Sequence, residues 1–230
     1  VAGVGIFHSG DAGVTWNNIS AGDNALDQVI TDPTNNNTEM AVASNGRLYA
    51  AVMLDGQPQY IGYTDDTGGT WTAKDLPQTQ ESDGDVEGLN PRVKPGGQGA
   101  IHFSIVADPS DPNTVYVGGD RQDGPFPNFI GANNYTGRLF RGDTTVTATG
   151  EVPSPQWEHL THRDDVAAIA EGGTASISAP HADSREMKFD ANEELVEGDD
   201  GGIYRRTLPT TNTGDWFSIN GNIQVTEQHD

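Results

Sequence analysis

Two short segments hold most of the groups able to do chemistry. Pro180-His181-Ala182-Asp183-Ser184-Arg185 places an imidazole, a carboxylate and a guanidinium at alternate positions. Alternate side chains of an extended strand point to one side, so His181, Asp183 and Arg185 are expected to share a face. Gly198-Asp199-Asp200-Gly201-Gly202 reads as a tight acidic turn. His102, His181 and His229 each fall at or near the start of an expected strand, and Asp120-Arg121-Gln122-Asp123 follows a strand as Asp199-Asp200 does. This repetition nominates His102, His181, Arg185, Arg121 and Asp200 as ligand-binding residues, and Asp120 and Asp183 as candidate catalytic carboxylates. Three chemistries fit. His and Asp side chains can ligate a metal or a ligand, without any local His-x-x-x-His spacing to favour it. Two aspartates roughly 5–9.5 Å apart can serve as the acid and the base or nucleophile of a glycosidase. Alternatively, His181, Asp183 and Arg185 satisfy one another as a buried network between closely packed strands.

A second candidate is Asp83-Gly84-Asp85-Val86-Glu87-Gly88, which resembles the opening of an EF-hand-type calcium loop. Asp83, Asp85 and Glu87 are therefore the candidate Ca2+ ligands. Lys94 stands at the twelfth position, where the complete loop has a bidentate Glu, so a solvated acidic loop is the competing reading.

These residues need a scaffold, and composition points to β-structure. The chain has 230 residues with 29 Gly and 13 Pro, and no long stretch of helical periodicity. A hydrophobic fraction of 33% suits many thin sheets, each with a small buried face. With 12 Lys+Arg against 34 Asp+Glu, the net charge of −22 argues against nucleic acid and against anionic membrane surfaces. No apolar run of membrane-spanning length is present, so no membrane insertion is expected. There is no cysteine, which excludes disulfides, Cys-ligated zinc and thiol catalysis. Both ends read as mid-structure, so a fragment of something longer is expected.

The positioning elements follow a repeat. Ser9-Gly10-Asp11-Ala12-Gly13-Val14-Thr15-Trp16 returns as Thr64-Asp65-Asp66-Thr67-Gly68-Gly69-Thr70-Trp71. The Asp and Ser/Thr side chains can accept from nearby backbone N–H groups and close a turn. The glycine supplies φ > 0, and Thr-Trp opens the next strand. Trp16, Trp71, Trp157 and Trp216 then mark one position in four units, as packing residues between sheets. A complete unit has strands near Met40–Ser44, Arg47–Leu54, Tyr60–Thr64 and Trp71–Lys74. The next has His102–Ala107, Val115–Val117, Arg138–Arg141 and Trp157–Leu160, and the last has Arg185–Phe189, Glu194–Glu197, Ile203–Arg206 and Trp216–Ile219. Loops are expected at 31–37, 77–99, 120–136 and 142–155.

The eight-residue pattern is the Asp-box (BNR repeat), and through it the chain resembles the sialidase-like and sortilin-type β-propellers, a group that includes oligoxyloglucan hydrolases. His-Ala-Asp followed by Asp-Gly-Gly-Ile-Tyr is similar to large exported bacterial proteins of unassigned activity. The resemblance implies an all-β fold, a β-propeller of four-stranded antiparallel blades forming an incomplete ring of about three to four blades. The blades would span 1–21 (partial), 38–76, 100–160 and 181–220, with 221–230 opening another. First strands would line a central channel, bringing His102, His181 and Asp183 to it. The resemblance further implies a secreted or cell-surface protein whose partner is an extracellular glycan or protein, further blades, or a larger assembly. The sialidase Arg-Ile-Pro element is missing. With no recognisable catalytic set, the expected function is a non-catalytic binding or structural module. The alternative is a glycoside hydrolase using Asp120 and Asp183, with Phe126, Phe129 and Tyr135 lining its cleft.

Overall fold

Apolar and β-branched runs bounded by Asn-Gly, Asp-Gly and Asp-Pro turns set the strands. The computed structural model describes residues 4–22, 24–89, 97–161, 179–211 and 214–222. Among them the fold is all-β apart from one short helix. β1 (Phe7–His8) and β2 (Asn17–Asn18) form a two-stranded sheet. Three four-stranded antiparallel sheets follow, each a simple meander. The first comprises β3 (Asn35–Val42), β4 (Leu48–Leu54), β5 (Gln57–Thr64) and β6 (Thr72–Ala73). A small hairpin, β7 (Thr79–Gln80) and β8 (Val86–Glu87), sits in the long loop that comes next. The second sheet holds β9 (Ser104–Ala107), β10 (Thr114–Arg121), β11 (Gly137–Asp143) and β12 (Trp157–His159). The third holds β13 (Glu186–Phe189), β14 (Leu195–Asp199), β15 (Gly202–Arg206) and β16 (Trp216–Ser218). None of the sheets closes into a barrel, and β9 lies between β3 and β13.

Two expectations change. The loop expected at 31–37 ends at Thr34, and its last three residues are strand, because Asn35 and Asn37 pair with Leu54 and Met53 on β4. The low strand preference of Asn yields there to the apolar partner strand. Just before it, Ala25–Ile30 forms helix α1, capped by the Asn24 side chain accepting from Asp27 N (3.0 Å). Leu26 and Ile30, one helical turn apart, bury against Ala50, Val52 and Tyr60. His229, Lys94 and residues 223–230 lie outside the described residues, as do part of the 77–99 loop and residues 212–213.

The two eight-residue turns are built alike. Ser9 Oγ accepts from Gly13 N (2.7 Å), and Asp11 accepts from Thr15 N (2.8 Å) and Thr15 Oγ1 (2.7 Å). In the second turn the same bonds join Thr64 to Gly68 (2.9 Å) and Asp66 to Thr70 (2.8 and 2.8 Å). Each turn passes through two left-handed residues, Ala12–Gly13 (φ 58° and 89°) and Thr67–Gly68 (φ 59° and 87°).

Successive sheets pack face to face. On β4, Tyr49, Ala51 and Met53 meet Val115, Val117 and Trp157 of the second sheet and Phe103 just ahead of β9, while Ala50 and Val52 meet α1 and Ile6. Tyr116, Leu139 and Leu160 then meet Met187, Leu195 and Trp216 of the third. Each fully buried large apolar side chain contributes about 1.5–3 kcal/mol. An indole ties each junction. Trp71 Nε1 donates to Ile19 O (2.7 Å), Trp157 Nε1 to Asp75 O (2.7 Å) and Trp216 Nε1 to Leu160 O (3.0 Å). Every acceptor follows the last strand of the preceding sheet.

Candidate functional site

An antiparallel meander brings the start of its first strand to the same end as the close of its second. His102, ahead of β9, and Asp120, near the end of β10, therefore share a rim. So do Asp183, ahead of β13, and Asp200, just after β14. A register shift between Gly118 and Arg121 bends the end of β10. That bend lets the 182–185 segment dock, with Asp183 N donating to Asp120 O (3.2 Å) and Ser184 N to Gly119 O (2.9 Å). Ser104 and Ser184 hydroxyls meet at 2.6 Å. Gly118 has no room for a side chain there, since a Cβ would lie 2.5 Å from Ser184 Oγ.

The side chains converge. His102 Nδ1 lies 3.1 Å from Asp183 Oδ1. Arg185 Nη2 reaches His102 Nε2 at 3.3 Å, and Arg185 Nε donates to Asp200 Oδ1 at 2.8 Å. A guanidinium only donates, so His102 Nε2 accepts and the imidazole proton faces Asp183. Gln98 Nε2 approaches Asp120 Oδ2 at 3.5 Å. Burial pushes the Asp183 carboxyl up. Its polar neighbours, His102 first, outweigh it and hold the group at about 2. Asp183 also sits at φ 74°, a left-handed conformation costly for a side-chain-bearing residue.

The rim thus unites Asp120, Asp183, His102, Arg185 and Asp200, five of the residues nominated from sequence. It leaves out His181, which is exposed, hydrogen-bonded at Nδ1 to Ala182 O (3.2 Å) and packed against Gly201. The alternation expected for 181–185 breaks at the left-handed Asp183, and β13 begins only at Glu186. One ligand atom from each of His102, Asp183 and Asp200 lies within 4.8 Å of the others, a donor set suited to a divalent cation. Arg185 already supplies the countercharge, and a metal on Nδ1 would force the imidazole proton onto Nε2, against the guanidinium.

Sequence reasoning missed Glu197 and read Asp199 only as part of the acidic turn. Glu197 and Asp199 lie on the buried face of β14, Glu197 wholly so. Burial, then the Asp199 charge, drives the Glu197 carboxyl well above its ordinary value. Burial likewise raises Asp199 to about 6, against hydrogen bonds from Glu197 and from Gly201 N. Their alternation with Leu195 in Leu-Val-Glu-Gly-Asp was the available signal.

Arg121 faces a different neighbourhood. It pairs with Asp123 (3.5 Å) and lies 4.2 Å over the Tyr135 ring, which meets Phe126 edge-on with centroids 5.1 Å apart. Tyr135 and Phe129 are exposed. The loop bearing them is held firmly. Asn128 Nδ2 donates to Gln122 (2.8 Å), and Phe129 N donates to Glu81 Oε2 (2.5 Å). Buried Arg138 ties Gln122 Oε1 (3.1 Å) to Thr79 Oγ1 (2.6 Å) and Gly88 O (2.6 Å). Of the candidate calcium ligands, Asp83 and Asp85 are exposed at the β7–β8 tip, where Asp83 Oδ1 accepts from Asp85 N (3.2 Å). Glu87 is buried toward Arg138, and burial raises it to about 7, partly offset by that guanidinium.

Compared with known protein families and with curated proteins, the chain matches no family model and no curated protein. Among the described residues, no helix is long and apolar enough to cross a membrane.

Proposed function

We propose that the chain is part of a non-catalytic binding module of an exported bacterial protein, built as an Asp-box β-propeller. Its ligand is an extracellular glycan, docked on the aromatic platform of Tyr135, Phe126 and Phe129 with Arg121 alongside. The observation that carries this reading is the fate of the two aspartates nominated for catalysis. Asp120 is fully buried, and Asp183 is held ionised against His102. A glycosidase acid needs a raised carboxyl facing the substrate, with its partner across a cleft. The propeller reading draws support from the serial face-to-face sheets, the repeated indole–carbonyl ties and the adjacency of the first strands. Exposed aromatic rings on a rigid loop suit the apolar faces of sugar rings.

The test is affinity electrophoresis in gels carrying soluble polysaccharides, with reducing-end release measured in parallel. The reading expects retardation by at least one glycan, weakened roughly tenfold or more by Tyr135→Ala, and no release of reducing ends. Release abolished by Asp183→Asn or Asp120→Asn would establish the hydrolase instead. Retardation indifferent to Tyr135→Ala would remove the platform.

A further inference from the structure

The end of the sheets opposite the rim carries a groove that the glycan reading leaves unused. In a four-stranded meander the turns joining strands one to two and three to four fall at that end. The β9–β10, β11–β12, β13–β14 and β15–β16 turns therefore gather there. Among them, where the second sheet meets the third, lie two adjoining cavities of about 260 and 270 Å³ that share Thr210. Val146 and Pro155 give the first an apolar wall, and Phe189, Leu208 and Pro209 give one to the second. Two residues of the second, Glu193 and Leu208, hold left-handed backbone (φ 60° and 47°), a strain that recurs at ligand clamps.

The charges around the groove are one-sided. Six carboxyl groups line the two cavities against one cation, Arg141. Four of the six are engaged. Asp108 and Asp111 accept from their own turn, at Ser110 N (2.8 Å) and Asn113 N (3.0 Å). Glu158 pairs with Arg141, and Glu194 pairs with Arg205 at 3.1 Å. The other two, Asp143 and Glu193, are exposed and form no ion pair among the described residues, and they fall one to each cavity.

We propose that this groove receives an extended, lysine-bearing segment of a partner protein, with one ammonium at Asp143 and a second at Glu193. The argument is charge complementarity joined to shape. A lysine suits both parts of each cavity, because its alkyl stem packs on the apolar wall while its ammonium reaches the carboxylate. Two cavities with one unpaired carboxylate each favour a chain carrying two ammonium groups over a lone cation, since the second contact forms within the complex. A net charge of −22 draws a basic partner from a distance and speeds the encounter. The groove lies at the other end of the sheets from Tyr135, so the inference does not depend on the glycan reading.

Fluorescence anisotropy of labelled hexalysine, titrated with the 230-residue chain at neutral pH and about 50 mM salt, tests it. The expected result is saturable one-to-one binding that weakens as salt is added. Asp143→Asn combined with Glu193→Gln should weaken it roughly tenfold or more. Asp55→Asn combined with Glu186→Gln removes the same charge from exposed positions outside the groove, and should cost less than about twofold. Circular dichroism should be the same for all three proteins. No saturable binding below about 1 mM overturns the proposal. Equal losses in the two double variants also overturn it, by reducing the binding to diffuse attraction. Spermine bound as tightly as hexalysine, with the same loss in the groove variant, would make the occupant a free polyamine instead of a peptide.

Discussion

Asp11 and Asp66 sit in solvent and find their partners within four residues of themselves. Asp183 sits largely out of solvent, and its partners arrive from other segments: His102 ahead of β9, Asp120 from β10 and Asp200 from the β14–β15 turn. Both kinds of carboxyl are held below their ordinary value. In the turns the leading cause is the backbone N–H of Thr15 or Thr70. At the rim, burial works against ionisation and the long-range partners overcome it. The difference is one of reach. A turn closed by its own eight residues can form wherever it occurs, whereas the rim exists only once two sheets have stacked.

Substitutions at the two places should therefore separate. His102→Ala leaves Asp183 buried without its principal donor, and should cost about 3 kcal/mol in urea unfolding. A loss under about 0.5 kcal/mol would erase the contrast.

The buried pair beside the rim gives the next largest effect. Glu197 and Asp199 are raised in the folded state, so the native chain holds protons that the unfolded chain has released. Their contribution is present below about pH 4 and is lost as pH rises through about 6, where Asp199 ionises. Asp183 runs the other way, stabilising above about pH 4 and losing that contribution as pH falls toward about 2. Glu197→Gln should flatten the decline between pH 5 and pH 8 and stabilise the protein at pH 8 by about 1–2 kcal/mol. A decline of unchanged slope would place the titrating group elsewhere.

Arg185→Ala removes the countercharge from His102, Asp183 and Asp200. The variant should become metal-responsive, with Mn2+ or Zn2+ raising its thermal midpoint by about 2–4 °C while the parent protein does not respond. A parent protein that responds equally would show that the guanidinium does not fill the cation's role. Asp66→Ala should have the smallest effect, shifting the urea midpoint by roughly a third of the His102→Ala shift or less, because its orphaned N–H groups can turn to water.

The same contrast explains what the sequence discloses. The eight-residue turns, the strands between Asn-Gly and Asp-Gly and the buried Trp157 and Trp216 were legible because their chemistry is local. The rim was legible only as a set of residue types. His102 and Asp183 both carried a positional signal, but their pairing comes from sheet stacking, and a left-handed Asp183 turned His181 away. Arg138 and Glu197 were not foreseen, because charged side chains are rarely buried whole and their partners lie far along the chain. Helix α1 was hidden in a polar stretch too short to show periodicity, although Asn24 and the Leu26/Ile30 pair are its cap and its buried face.

The account rests on the rim being a hydrogen-bonded tie between sheets. A double-mutant cycle on His102 and Asp183, measured by urea unfolding at pH 7, addresses that directly. Combining His102→Ala with Asp183→Ala should cost less than the sum of the two, with a coupling of about 1.5–3 kcal/mol. Additivity within about 0.5 kcal/mol would contradict it.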